Sequence, residues 1–155
     1  MAIKLVSSSG SVVDPAAINM YASGTVWPNS VVEFSRTGGV GVNIASANST
    51  NTMIFGVCQS YAQGASDTQV NVIPFASGQL WQVDCVAVAT TAQIGIKHVL
   101  NADALLVRNT GTAVETGKGV FVATAMTGST SGSGTLIGYF EVIKGVQPDN
   151  TSTYS

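Results

Sequence analysis

Apolar and polar residues alternate with a period of two along much of this chain. Between Gly39 and Ala45, Val40, Val42 and Ile44 point one way while Gly41 and Asn43 point the other. In Gln69–Ile73, Val70 and Val72 oppose Gln69 and Asn71. In Gln79–Ala89, Trp81, Val83, Cys85 and Ala87 share one side, with Gln82 and Asp84 opposite. Successive side chains leave a sheet on opposite faces, so the pattern predicts half-buried strands. Leu136–Ile143 and Val120–Ala123 are apolar on both faces, which predicts central strands covered on both sides by a second sheet or a neighbouring subunit. Ile3–Val6, Val31–Phe34, Met53–Cys58 and Leu105–Arg108 are further short candidates.

Turn clusters separate these runs: Ser7–Ser11, Thr37–Gly39, Ser46–Asn51, Gln63–Asp67, Asn109–Gly111 and Thr127–Gly134. Their spacing of roughly 8 to 15 residues is that of a sandwich or barrel. The expected fold is therefore all-β, a single-domain sandwich or barrel of roughly eight to ten strands with little helix. Two stretches compete for helix. Asp14–Tyr21 offers Asp14 as a cap and Pro15 at the first helical position. Thr90–Ala104 is the other, weakened by Gly95 and by β-branched Ile94, Ile96 and Val99. The Gly/Ser run between Thr127 and Gly134 reads as the flexible tip of a long hairpin. Residues 1–10 read as an N-terminal arm, 11–146 as the β domain and 147–155 as a polar tail that frays. A faint internal echo sets Val31–Phe34 with Thr52–Val57 beside Val120–Ala123 with Thr135–Phe140, read as a recurring hairpin type and not as proof of duplication.

Composition sharpens this picture. The 155 residues are 45% hydrophobic and only 9% charged, against about 25% charged in an average domain. Either the surface is a neutral skin of hydroxyls and amides, or partners cover much of it. A formal net charge of -2, with Lys4, Arg36, Lys97, Arg108, Lys118 and Lys144 scattered, argues against nucleic-acid binding. No apolar run approaches the roughly 20 residues of a membrane span. The opening decapeptide lacks a signal-peptide pattern, so the chain is expected to stay in the compartment where it is made.

Candidate chemistry is sparse, and no enzyme is expected. His98 is the one histidine, in an apolar context, and Gly128–Gly132 has Thr where a nucleophile elbow needs Ser. The acids are dispersed; Asp84 and Glu141 lie inside strands and are expected on a solvated face or paired with Lys or Arg across strands. Gly39–Gly41 and Gly117–Gly119 lack the third glycine of a phosphate loop. Cys58 and Cys85 have no metal-type spacing and are expected as small buried thiols, with a disulfide as the alternative. No cofactor or metal is expected. Trp27, Trp81, Tyr21, Tyr61, Tyr139 and Phe140 are candidates for a sugar platform, but core or subunit-interface packing is the favoured reading, above all for Trp27, Trp81, Tyr139 and Phe140.

The order of elements has a familiar texture. Ala2–Val6 and a Ser/Gly break precede Ser30–Phe34, Met53–Val57, Ala65–Val72, Gly117–Val122 and Leu136–Tyr139. This resembles the capsid decoration (cement) proteins of tailed bacteriophages. The resemblance implies a β-rich homotrimer made in the host cytoplasm, binding the major capsid protein on the outer surface of an icosahedral head, with no catalytic residues. Ile3, Lys4, Leu5 and Val6 are then the expected capsid contacts, as a free arm adding to a partner's sheet edge. The competing reading makes Ile3–Val6 the first strand of the domain. A phage fibre or tail-spike module binding glycans is the alternative function.

Overall fold

The computed structural model describes residues 3–8, 17–34, 41–63, 68–101, 106–108, 119–127 and 134–142. Within these residues eleven strands run in chain order: β1 (Ile3–Ser8), β2 (Ile18–Tyr21), β3 (Val31–Phe34), β4 (Val42–Ile44), β5 (Ile54–Cys58), β6 (Gln69–Pro74), β7 (Gln79–Cys85), β8 (Lys97–Leu100), β9 (Leu106–Arg108), β10 (Phe121–Thr127) and β11 (Thr135–Phe140). Among the described residues the only helix is one 3-10 turn, Thr91–Gln93. The chain is all-β, and its strands form two packed sheets.

The first sheet has the order β2-β6-β5-β3-β4, the second β1-β7-β11-β10-β8-β9. Each closes on itself. In the second, β9 pairs in parallel with β7, Asp84 opposite Leu106 and Cys85 opposite Val107. In the first, Ala22 makes a parallel bridge to Val42. Closure reduces the open edges, which otherwise present unpaired amides to any passing strand.

The two rings are the same ring. Around the first, β2 to β6 take the places that β7 to β11 take around the second. The registers agree residue by residue: Ile18 corresponds to Trp81, Met20 to Val83, Ala22 to Cys85, Val32 to His98, Val42 to Val107, Val57 to Val122 and Val72 to Gly138. Backbone hydrogen bonds repeat too. Ala22 N–H donates to the Thr68 carbonyl at 2.9 Å and Ser23 N–H to that of Val42 at 3.0 Å; Cys85 to Gly134 and Val86 to Val107 are the counterparts, both at 3.1 Å. Phe75 N–H to Phe55, at 2.9 Å, matches Glu141 N–H to Val120, at 2.8 Å. The repeat is not the one the sequence echo suggested: ring position equates β5 with β10 and β6 with β11, not β3 and β5 with β10 and β11.

The interiors are unequal. The first ring holds a small cluster of Ala22, Val26, Val32, Val42, Cys58, Ala62, Val70 and Val72. The second shares a larger core with the opposite face of β3 and β5, where Val31, Ile54 and Val57 join Trp81, Val83, Phe121, Leu136 and Phe140. Phe75 links the rings, stacked on Phe140 at 4.4 Å and 22° and edge-on to Trp81 at 5.6 Å and 83°. Such aromatic pairs add stabilisation beyond the apolar area they bury.

Several expectations change. Ile18–Tyr21 is a strand, not the end of a helix, because pairing Ile18 with Val72 and Met20 with Val70 outweighs the local capping signal; residues 14–16 lie outside the described residues. Over Thr90–Ala104 the helix gives way to the 3-10 turn and then β8, with Gly95 at φ 85° breaking the path. β11 is central, between β7 and β10, but its outer face is not covered: Tyr139 is 42% exposed. The loop tip at 128–133 and the tail at 147–155 fall outside the described residues.

Of the two readings of the N-terminus, the structure has the second. β1 lies antiparallel on β7, Ile3 opposite Val83 and Leu5 opposite Trp81. Ile3 is fully buried in the shared core. The described residues 3–8 of the expected arm are thus part of the domain sheet, because burying Ile3 and Leu5 on β7 satisfies both side chains and an edge. Replacing Ile3 with Ala is expected to lower unfolding free energy by about 2–5 kcal/mol, measured by urea denaturation. Unchanged stability would mean that the strand is detached in solution.

Candidate functional site

The predicted site residues divide between core and surface. Trp81 and Phe140 are buried and hold the two rings together. Ile3 is buried with them, and Leu5 is half-buried against the same cluster. That placement removes Ile3 as a capsid contact in this conformation. Val6 is exposed; the side chain of Lys4 lies outside the described residues. Tyr139 stands on the outer face of β11, and Trp27 is the more exposed of the two tryptophans, at 49%.

Trp27 does not stand alone. Its ring lies 5.0 Å from that of Tyr61 with 44° between planes, and Tyr61 is 45% exposed. Local chemistry builds this pair. Trp27–Ser30 forms a turn with Pro28 second and Asn29 third, Asn29 at φ 63°, the left-handed position a type II turn requires there. Ser30 closes it, its Oγ donating to the Trp27 carbonyl at 2.6 Å. Asn29 N–H donates to the Cys58 carbonyl at 2.7 Å, tying the turn to β5. A two-way backbone bridge between Val26 and Ala62, both bonds 3.0 Å, then sets the following tryptophan beside the preceding tyrosine. Both aromatics were candidates from the sequence; their pairing, across more than 30 residues (roughly), was not, because the bridge that makes it has no local signal.

Other exposed apolar residues gather in the segment between β7 and β8, where Val86, Val88, Ile94 and Ile96 reach solvent. Charges are few. Lys97 Nζ lies 2.7 Å from Glu141 Oε1, the pairing across strands expected for that acid, and Asn51 Nδ2 donates to the same oxygen at 3.3 Å. An exposed pair of this kind adds at most about 1 kcal/mol. Glu33 accepts a short hydrogen bond from Ser49 Oγ.

His98 is buried, at the position filled in the first ring by Val32. Its Nε2–H donates a hydrogen bond to the Gln93 carbonyl at 3.0 Å. The histidine thus supports the 3-10 turn that precedes its own strand. Among the described residues no three His, Cys, Asp or Glu side chains assemble as a metal-binding group. No helix among them is long and apolar enough to cross a membrane.

Both cysteines are free and buried, Cys58 in the first ring's cluster and Cys85 in the shared core. Cys58 Sγ donates to the Ser60 carbonyl at 2.9 Å. Burial pushes both thiols up, Cys85 to about 11 with the Asp84 charge adding to the rise. No protein-family model matches the chain, and the search of curated proteins finds no match.

The thiols give a pH prediction. A group whose proton is held more tightly folded than unfolded contributes stability that is intact below its unfolded value and lost as pH rises through the folded one. Stability is therefore expected to be flat up to about pH 9, then to fall as pH rises toward 11. Cys85→Ala should flatten that decline, as followed by thermal melts at successive pH values. An unaltered decline in the variant would assign it elsewhere.

Proposed function

We propose that this chain is a non-catalytic structural protein that decorates the outer surface of an icosahedral phage head as a homotrimer, contacting the major capsid protein. The observation that carries this reading is a body of closed β rings with few ionised groups, 9% of the chain, and large apolar residues left at the surface. Trp27, Tyr61, Tyr139, Val86 and Ile96 are among the latter. Low net charge gives little self-repulsion and tolerates association. Contacts of modest strength, multiplied by the symmetry of a shell, give high avidity without a deep pocket. Closed rings suit a load-bearing cement because they offer few places for a strand to peel away.

Solution mass tests self-assembly first. Light scattering is expected to give three times the chain mass of 15.8 kDa, and the trimer should co-sediment with intact heads. Heads lacking it are expected to rupture at a lower temperature than decorated heads. A monomer that leaves shell stability unchanged sinks the reading.

A glycan-binding module of a fibre or tail spike is the second reading, favoured by one observation: the paired, exposed rings of Trp27 and Tyr61. Aromatic faces of this kind stack on the apolar side of a sugar ring. Saturable quenching or enhancement of tryptophan fluorescence by oligosaccharides, abolished by Trp27→Ala with the fold intact, would establish it. Binding to capsids with no fluorescence response to sugars favours the cement role.

A further inference from the structure

The duplicated ring carries an unequal feature. On β7, β11 occupies one flank, and β1 and then β9 occupy the other. On β2, β6 occupies the flank equivalent to that of β11, and Ala22 meets Val42 where Cys85 meets Val107. Among the described residues, nothing occupies the place equivalent to β1.

We propose that the edge of β2 at Ala17–Met20 is a strand-acceptor site, which takes an extended segment of a different protein in the way that β7 takes β1.

The side chains argue for this. Trp81 and Val83 are buried, with Leu5 and Ile3 as their cross-strand partners. Their counterparts in the first ring are Ile18 and Met20, and these are left uncovered: Ile18 is 42% exposed and Met20 half-buried against the small cluster. Two apolar residues at core-equivalent positions, one exposed and one half-buried, thus lie beside a flank that no described strand pairs. β-Addition supplies both missing contacts, since main-chain hydrogen bonds give affinity and alternate side chains give selectivity.

The same comparison defines the occupant. It runs antiparallel to β2 and carries apolar residues at alternate positions, one opposite Met20 and one opposite Ile18, as Ile3 and Leu5 stand opposite Val83 and Trp81. Ala17, Ile18, Asn19, Met20 and Tyr21 are uncharged, so the segment needs no charge to match. A second copy of this chain is a poor donor. Each copy has one β1 for two equivalent places, and lending it would strip its own β7 and expose Ile3. The inference stands on the pairing geometry and does not depend on a capsid being the partner.

The test uses the full chain, isotope-labelled, and a synthetic peptide with the sequence of residues 2–9. Amide shifts at Ala17–Tyr21, alone or together with changes at Gln79–Val83, are the expected result. A peptide with Ser in place of both Ile3 and Leu5 should leave them unmoved. Ile18→Asp, with its spectrum otherwise preserved, should weaken the response at least about tenfold, about 1.4 kcal/mol. No change at Ala17–Tyr21 with the native peptide at about 1 mM, or changes confined to Gln79–Val83, overturns the proposal. So does an equal response to the Ser-substituted peptide.

Discussion

Every sheet must dispose of its two outer strands, and a chain with few charges has little with which to guard them. This one solves the problem by closure. Val42 and Val107 each lie in parallel pairing, with Ala22 and with Cys85, where backbone hydrogen bonds from Ser23 and from Val86 help tie the last gap in a ring of five strands. The rest follows from that constraint. Closed rings fix which side chains face inward, and so they set Val32 and Cys58 in one interior and His98 and Ala123 at the corresponding places of the other. They also leave the outer faces free for packing, which is how Val31 and Val57 become part of the neighbouring ring's core.

Much of the strand layout was legible because burial imposes a period of two wherever one face is solvated. β6 and β7 show it directly, with Val70, Val72, Trp81, Val83 and Cys85 all buried and their neighbours more exposed. β2 was misread because its local residues look like a helix start, while the partners that make it a strand lie some 50 residues away (roughly). The duplication was not legible, and the reason is volumetric. Gly56 stands where Phe121 stands, and Gly138 where Val72 stands, so equivalent positions exchange large and small side chains. Gly138 is further held small by its neighbour: a Cβ there would run into the Val122 carbonyl oxygen. Topology repeats, therefore, where residue identity does not.

The candidate contact surface was half visible. Composition left open a neutral skin or a surface covered by partners, and the aromatics were marked, but only the fold separates Trp81 and Phe140, spent on internal packing, from Trp27, Tyr61 and Tyr139, which reach solvent. His98 illustrates the converse. A lone histidine invites a catalytic reading, yet ring position equates it with a buried valine, and its ring nitrogen is occupied in steadying a turn.

The shared core also has a consequence for biosynthesis. Chains emerge from the ribosome amino-terminus first, and domains generally fold as they appear. Here the first ring emerges early, but the wall formed by Val31, Ile54, Val57 and Phe75 finds its cover only when Trp81 and Phe140 arrive. β1 waits as well, since its partner β7 lies far downstream. The nascent molecule thus carries a greasy, uncovered wall until the strands up to β11 have been translated.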